Sequence, residues 1–487
     1  MTEMRVWEAP EASSSKSHHS KVDGARQDVS EFDADESKPL VHVEARLKDT
    51  SEIQPRIIQN LLFAALVESD VSFRPNTRLS DFYRSVDLLD THIDAVWLEL
   101  DSLCDAQPGQ RPLVFNQCRL QVHVYANSFE SWQMLGLPDE DAEDEDAPAG
   151  ETSTPAASVL QLPEATLDGL WQTLIFDSGI KETLLTYIQT TMLFAEAMVD
   201  TNVISYNRVV LLHGPPGTGK TSLCRALTQK LSVRLSSFYN STRLVEIHAH
   251  SLFSKWFSES GKMVQKLFDA IHQLLQDDPQ SFLVVLVDEV ESLTAAREGV
   301  VGGKEPSDAL RVVNALLTQL DRLKQHPNVL IMTTSNLTHA IDPAFIDRAD
   351  IKQYIGLPNA EAIYFILSTC LVELRGRRLL HGTATLSTWS ELQQGPRDAQ
   401  DCSMRLAALA KMAQVIDLQK LCLVKASTDI FQDYGVSGRL LRRMPILAHA
   451  RHVARSRRAD LRIWITAFES VVVEEVKQGA LMQTENP

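Results

Sequence analysis

Val41, Val43, Ala45 and Leu47 alternate with His42, Glu44 and Arg46, the period-two rhythm of a half-buried strand. From Arg56 to Leu66 the rhythm becomes helical, with Ile57, Ile58, Leu61, Leu62 and Ala65 recurring. Alternation returns at Leu120, Val122 and Val124, set between Arg119, Gln121 and His123. These elements predict a small α+β domain over 39–136. It carries no motif that points to catalysis and reads as an interaction or packing module. Residues 1–38 are almost free of large apolar side chains and are predicted to be a disordered tail. The acidic run within 137–158, from Asp139 to Glu151, repels itself and reads as an extended, solvated linker.

Beyond the linker, Leu162 to Met198 has helical character. Then short apolar runs alternate with helical stretches. Val209 to Leu212 precedes a helix from Ser222 to Leu231, and Arg243 to His248 reads as the next strand. Phe282 to Val287 is continuously apolar, as in a strand buried on both faces, and ends at Asp288 and Glu289. An amphipathic helix over Ser307 to Leu323 leads to the strand Val329 to Thr334, which ends at Ser335 and Asn336. Such alternation predicts a parallel sheet with helices on both faces over 159–357. Residues 358–487 are largely helical, with Ile363 to Leu374 and Ser437 to Arg455 as clear cases, and read as a lid.

Composition narrows the function classes. The chain of 487 residues is 44% hydrophobic and 23% charged, the balance of a soluble globular protein. A net charge of −17 argues against a general nucleic-acid binder, which needs a basic face. Six cysteines without a C-x-x-C pair are expected to be reduced thiols in an intracellular protein. No segment reads as a signal peptide or a membrane span.

The chemistry concentrates at Gly214-Pro215-Pro216-Gly217-Thr218-Gly219-Lys220-Thr221-Ser222, between a strand and a helix. Its glycines let backbone N–H groups turn around a phosphate, and the helix adds its positive dipole end. Lys220 is spaced to reach the β- and γ-phosphates, and the Thr221 hydroxyl to sit on Mg²⁺. This is the pattern of a nucleoside triphosphate site. Asp288, at a strand end beside that loop, is placed to hold Mg²⁺ directly or through water. Glu289 is placed to polarise a water for attack on the γ-phosphate, which points to hydrolysis. Asn336, ending another strand, can orient that water.

The strings G-P-P-G-T-G-K-T, D-E-V-E-S and T-T-S-N together resemble an AAA+ ATPase: a parallel phosphate-loop sheet plus helical lid, here preceded by the small α+β domain. Longer strings, Ser251 to Ser260, Glu305 to Ala309 and Asp347 to Gly356, closely resemble the pachytene checkpoint protein 2 family. That resemblance implies an ATP- and Mg²⁺-dependent homohexamer that remodels HORMA-domain proteins, directly or through a HORMA-fold adaptor, by pulling a segment through its pore. It implies service at meiotic chromosome axes and in the spindle checkpoint, in nucleus and cytoplasm, with no direct nucleic-acid or membrane partner. It makes Arg348 the arginine finger acting on a neighbouring subunit, although the residues alone also allow a pair with Asp347 or Asp350. It makes Arg439 the lid arginine that senses nucleotide, and Lys255, Trp256 and Phe257 a pore loop, with Gly299 to Gly303 suiting a second. From periodicity alone Trp256 and Phe257 fit a core better, and it is the resemblance that moves them to the pore. Two alternatives remain at this point. One is a DNA-directed AAA+ protein, using Arg442-Arg443 and the basic Arg455 to Arg458 stretch. The other is a nucleotide-gated scaffold that hydrolyses poorly.

Overall fold

The first alternating stretch folds as strand β1 (Leu40–Leu47), followed by helix α1 (Pro55–Val67) and strands β2 (Thr77–Leu79), β3 (Ile93–Leu100) and β4 (Arg119–Tyr125). The structure, a computed structural model, describes residues 38–484 apart from 70, 74–76, 80–81, 101–111, 136–156, 178, 250–259, 293–306, 337–340, 342, 382–385, 388, 394–401, 415–435 and 454–457. The expected tail and most of the expected linker lie outside these residues. So do Lys255, Trp256, Phe257 and the Gly299 to Gly303 stretch.

The four strands form a sheet in the order β2-β3-β1-β4, with β1 antiparallel to β3 and parallel to β4. Ile58, Leu62 and Leu66, on one face of α1, close over Val41, Val43, Ala45 and Val122 in one apolar cluster. The period-two reading of β1 misses its other face. His42 and Glu44 are 4% exposed, as buried as the apolar residues between them. The reason lies in their partners: Lys230 and Arg234 of the ATPase module meet Glu44, and His42 stacks on His123 of β4.

The second sheet runs β11-β7-β10-β9-β8-β6-β5. Its parallel strands are β7 (Val209–His213), β8 (Ser241–His248), β9 (Ser281–Asp288), β10 (Val329–Ser335) and β11 (Ile351–Tyr354). Two antiparallel strands extend one edge, β6 (Ala157–Leu162) on β8 and β5 (Gln133–Met134) on β6. The sheet therefore draws on residues that composition places in the N-terminal domain and the linker. Helix begins after β6, with α2 (Leu170–Thr173) and α3 (Ile180–Glu196), so the helical reading from Leu162 starts too early.

The continuous apolar runs explain the layering. Leu283, Val285 and Val287 of β9 face one cluster, with α5 (Ser260–Asp277) and α6 (Ser307–Leu323). Phe282, Val284 and Leu286 face the opposite cluster, with α3 and α4 (Lys220–Arg234). A strand covered on both sides has no polar face, so alternation disappears from its sequence. A short helix, α7 (Pro343–Arg348), leads into β11.

The lid is a separate helical cluster of α8 (Ala360–Gly376), α9 (Cys402–Gln414), α10 (Gly438–Ala448) and α11 (Leu461–Thr484). Asn359 and Ser437 cap α8 and α10 by accepting the Ala362 and Leu440 N–H groups. The helix expected to run to Arg455 ends at Ala448 and widens into a π turn over His449–Val453.

Candidate active site

Strand β7 delivers the chain to the loop 214–219, and α4 carries it away. Gly214 sits at φ 141°, and a Cβ there would lie 2.2 Å from the Ile355 carbonyl oxygen. Only glycine fits, so β11 and the loop pack backbone to backbone. Gly217, at φ 75°, has the lid against it: an added Cβ would lie 3.2 Å from the Arg439 Cβ, and the Arg439 N–H donates to the Gly217 carbonyl at 3.3 Å.

Lys220 is 5% exposed, and its ammonium donates to the Gly214 and Pro215 carbonyls, each at 2.8 Å. Burial pushes it below the usual lysine range, against the pull of Glu291, Asp288 and Glu289. The Thr221 hydroxyl donates to Asp288 Oδ1 at 2.9 Å. Thr334 Oγ1 donates to the same oxygen and accepts the Glu289 N–H at 3.2 Å, while its carbonyl takes the Val290 N–H at 3.0 Å. Thr334 thus fixes both acidic residues at the strand end. Glu289 has φ 60°, a left-handed conformation that is costly without a glycine. That turn takes its side chain out of the sheet and into the cavity.

The cavity measures about 570 Å³. Pro216 to Ser222, Asp288, Glu289, Asn336 and Arg439 all line it, so the structure brings these sequence-expected residues together. Gly214 and Pro215 stand behind it as acceptors for Lys220. Several lining residues were not read from sequence as part of this site: Leu174, Ile175 and Phe176 after α2, Leu357 and Pro358 after β11, and Arg442 one turn beyond Arg439. They offer an apolar wall for a flat ring and a second lid cation. The Arg442-Arg443 pair was legible, but as a phosphate contact for DNA. Thr334 was hidden as one more β-branched residue in a buried strand.

The Thr221 hydroxyl and the Asp288 carboxylate make an all-oxygen donor set, with Glu291 Oε2 buried beside Lys220 without a hydrogen-bond partner. Such oxygens suit a hard divalent cation such as Mg²⁺. Glu246, His248 and Asp288 also place ligand atoms within 4.8 Å of one another, but Arg225 already engages the Glu246 carboxylate at 2.6 Å.

Arg348 is outside the cavity. It ends α7 and grips Asp321 of α6, with Nη2 at 2.7 Å and Nε at 3.0 and 3.2 Å, and Nη1 donates to the Ala344 carbonyl at 2.9 Å. Its carboxylate partner is Asp321, not the Asp347 or Asp350 that the residues alone also allow. Asp350 instead accepts from Asn207 and from the Val209 N–H, tying the start of β7 to β11.

Three family models divide the chain: the TRIP13 N-terminal domain over residues 36–130, the ATPase family associated with various cellular activities over 210–357, and the TRIP13-like AAA+ ATPase lid C-terminal domain over 359–476. The pachytene checkpoint protein 2 homologue of Danio rerio is 40% identical over 444 residues, covering 91% of this chain and 95% of the relative. The Xenopus tropicalis homologue is 43% identical over 420 residues, 84% of this chain and 87% of its own. The solved structure of C. elegans PCH-2 superposes with a TM-score of 0.67 at 30% identity, over 90% of this chain and 99% of that one. With its phosphate loop, acidic strand end and lid arginine gathered on one cavity, the chain is an AAA+ ATPase and belongs to the pachytene checkpoint protein 2 family.

Proposed function

We propose that this ATPase works as a homohexameric ring that converts HORMA-domain proteins by pulling a segment of them through its pore. The observation that carries the ring is the position of Arg348. One chain gathers the phosphate loop, Asp288, Glu289, Asn336 and Arg439, and leaves Arg348 outside its own cavity. An arginine finger in that place serves the cavity of a neighbouring subunit, with Asp321 holding it until then. Family membership supports HORMA-domain clients, with or without a HORMA-fold adaptor, and the proposal extends to work at meiotic chromosomes and in the spindle checkpoint and to residence in nucleus and cytoplasm.

Within the cavity, Lys220 exchanges two carbonyl partners for phosphate oxygens. Thr221 and Asp288 would hold Mg²⁺, which when bound supplies positive charge against the phosphates. Glu289 orients a water and takes its proton, and Asn336 fixes that water from the next strand end. Arg439 closes the lid over the loop it already touches through its backbone. Lys255, Trp256 and Phe257 take the part of the pore loop, where bulky side chains grip a backbone without reading its sequence.

The test uses Glu289→Gln, which should bind ATP and not cleave it. Recovered from cell extract with ATP, it should retain a HORMA-domain protein that wild type releases. Recovery of DNA or replication factors in its place would overturn the reading.

A further inference from the structure

The N-terminal sheet meets the ATPase module through charge. Lys230 and Arg234, in the last turns of the phosphate-loop helix α4, are 4% and 5% exposed. Lys230 Nζ lies 2.6 Å from Glu44 Oε2 and 2.6 Å from Glu99 Oε1. Arg234 lies 3.1 Å from Glu44 Oε1 through Nε and 2.6 Å from Glu99 Oε2 through Nη2. Each acid bridges both bases, so the four side chains close a ring of net charge zero between β1 and β3 on one side and α4 on the other. Burial alone would raise the Glu44 carboxyl, but Lys230 and Arg234 overcome it and hold the group below the usual carboxylate range. A second polar crossing joins Arg46 and Tyr125 to Asp168.

Apolar contact does not fuse this seam. The core of the N-terminal domain draws its buried side chains from residues 41–122, and the neighbouring ATPase core from 160–355, with none in common among the described residues. A cleft of about 190 Å³ runs along the seam, lined by Trp97 and Glu99 from β3 and by Trp171, Lys181 and Arg234. A buried ion-pair network gains Coulomb energy and loses hydration in nearly equal measure, so it can part into water at a far smaller cost than an apolar core.

We infer that this four-charge ring is a separable joint that couples docking of the N-terminal domain to nucleotide at the phosphate loop. The lever is α4 itself. Its first residue is Lys220, whose ammonium now rests on the Gly214 and Pro215 carbonyls and must leave them to reach a phosphate. Fourteen residues on, the same helix ends at Arg234. Over a helix of about 21 Å, a tilt of about 5° at the phosphate end displaces the far end by about 2 Å. Contacts of 2.6 Å do not survive that displacement, so α4 and the N-terminal domain must move together or part. Coupling of this kind is reciprocal: what loosens the joint changes affinity for nucleotide by the same factor.

The experiment labels lysines in the full chain. Lys230 is shielded while the domain is docked, so its rate of acetylation, read by mass spectrometry, reports the joint. In the Glu289→Gln background, saturating ATP should change the Lys230 rate by about fivefold or more relative to nucleotide-free protein. Glu99→Gln, which removes the more exposed acid, should change the dissociation constant for a fluorescent ATP analogue by a similar factor. Equal Lys230 rates with and without ATP would overturn the coupling, and because that arm needs no substitution in the joint it decides even if Glu99→Gln folds poorly.

Discussion

Thr334 donates to Asp288 Oδ1, the oxygen that also accepts the Thr221 hydroxyl. Thr334 touches no nucleotide-facing surface and is 2% exposed, yet it fixes the carboxylate expected to face the metal. Thr334→Val keeps the shape and removes the hydroxyl, freeing Asp288 to rotate and leaving the Glu289 N–H without its acceptor. Loss of such a supporting partner costs about 10- to 100-fold in metal affinity or turnover. ATPase assays against Mg²⁺ should therefore give a lower kcat and a raised Mg²⁺ requirement, with KM for ATP nearly unchanged. A fall in ATP affinity alone would assign Thr334 to the loop instead.

Glu289 has a left-handed backbone that turns its carboxylate into the cavity. Glu289→Gln keeps size and hydrogen bonding but cannot accept the proton of an attacking water. A positioned general base contributes about 10²- to 10⁴-fold, so turnover should fall by that order while equilibrium ATP binding stays within about twofold of wild type. Equal losses in binding and turnover would contradict the role.

How much of this was legible in the chain depended on whether a residue's partners lie nearby in sequence. The phosphate loop and the acidic strand end were readable because their chemistry fixes spacing within one turn. The buried run 282–287 was readable because both its faces are apolar. Strand β3 was not, since Asp94 and Glu99 interrupt its apolar positions. Glu99 is inside because Lys230 and Arg234 come to it from residues more than 130 positions away. Distance also hid the second face of β1, where Glu44 looks solvated until α4 is laid against it and His42 until it stacks on His123. Nor could sequence place Arg348 on Asp321, a partner on another helix.

Arg439 reaches the site from the lid, and its backbone already bonds the Gly217 carbonyl. Its side chain lines the cavity, so closure brings a cation onto whatever the loop holds. Arg439→Ala should raise KM for ATP. A charge-assisted contact contributes about 1.5–3 kcal/mol, which predicts a rise of about 10- to 100-fold. Arg439→Lys should recover part of this, since point charge survives and the planar fork does not. Steady-state kinetics on the three proteins checks the order.

Low pH should loosen the N-terminal domain through His123. Burial pushes this imidazole down to about 3, and only Glu44 opposes that, while His42, Arg234 and Lys230 add to it. His123 stacks on His42 with the ring nitrogens 3.3 Å apart, in a setting where the folded protein keeps His123 neutral. A depressed histidine contributes stability that is complete above its unfolded value near 6.5 and is lost as pH falls toward 3. Between pH 7.5 and 5.5 this group alone should remove about 1.4 kcal/mol. Urea unfolding of the full chain at both pH values should show wild type losing that much more than His123→Gln. Identical pH slopes would place the proton elsewhere.

The placement of Arg348 outside its own cavity gives the sharpest test of the ring. Lys220→Ala should abolish nucleotide binding, and Arg348→Ala should leave binding intact but slow hydrolysis by about 10³-fold or more, the worth of an arginine finger. Each variant alone is then inactive, for different reasons. In a head-to-tail ring assembled from an equal mixture, a site works where a subunit with Lys220 follows a neighbour with Arg348. Random assembly gives about one such site in four. The mixture should therefore recover about a quarter of wild-type turnover, provided subunits exchange before the assay. An arginine acting within its own chain cannot produce this result, because every subunit in the mixture lacks one of the two residues. Recovery in the mixture would also separate the finger from a purely structural part for the Arg348–Asp321 pair, since a misfolded α7 would spoil its neighbour as well.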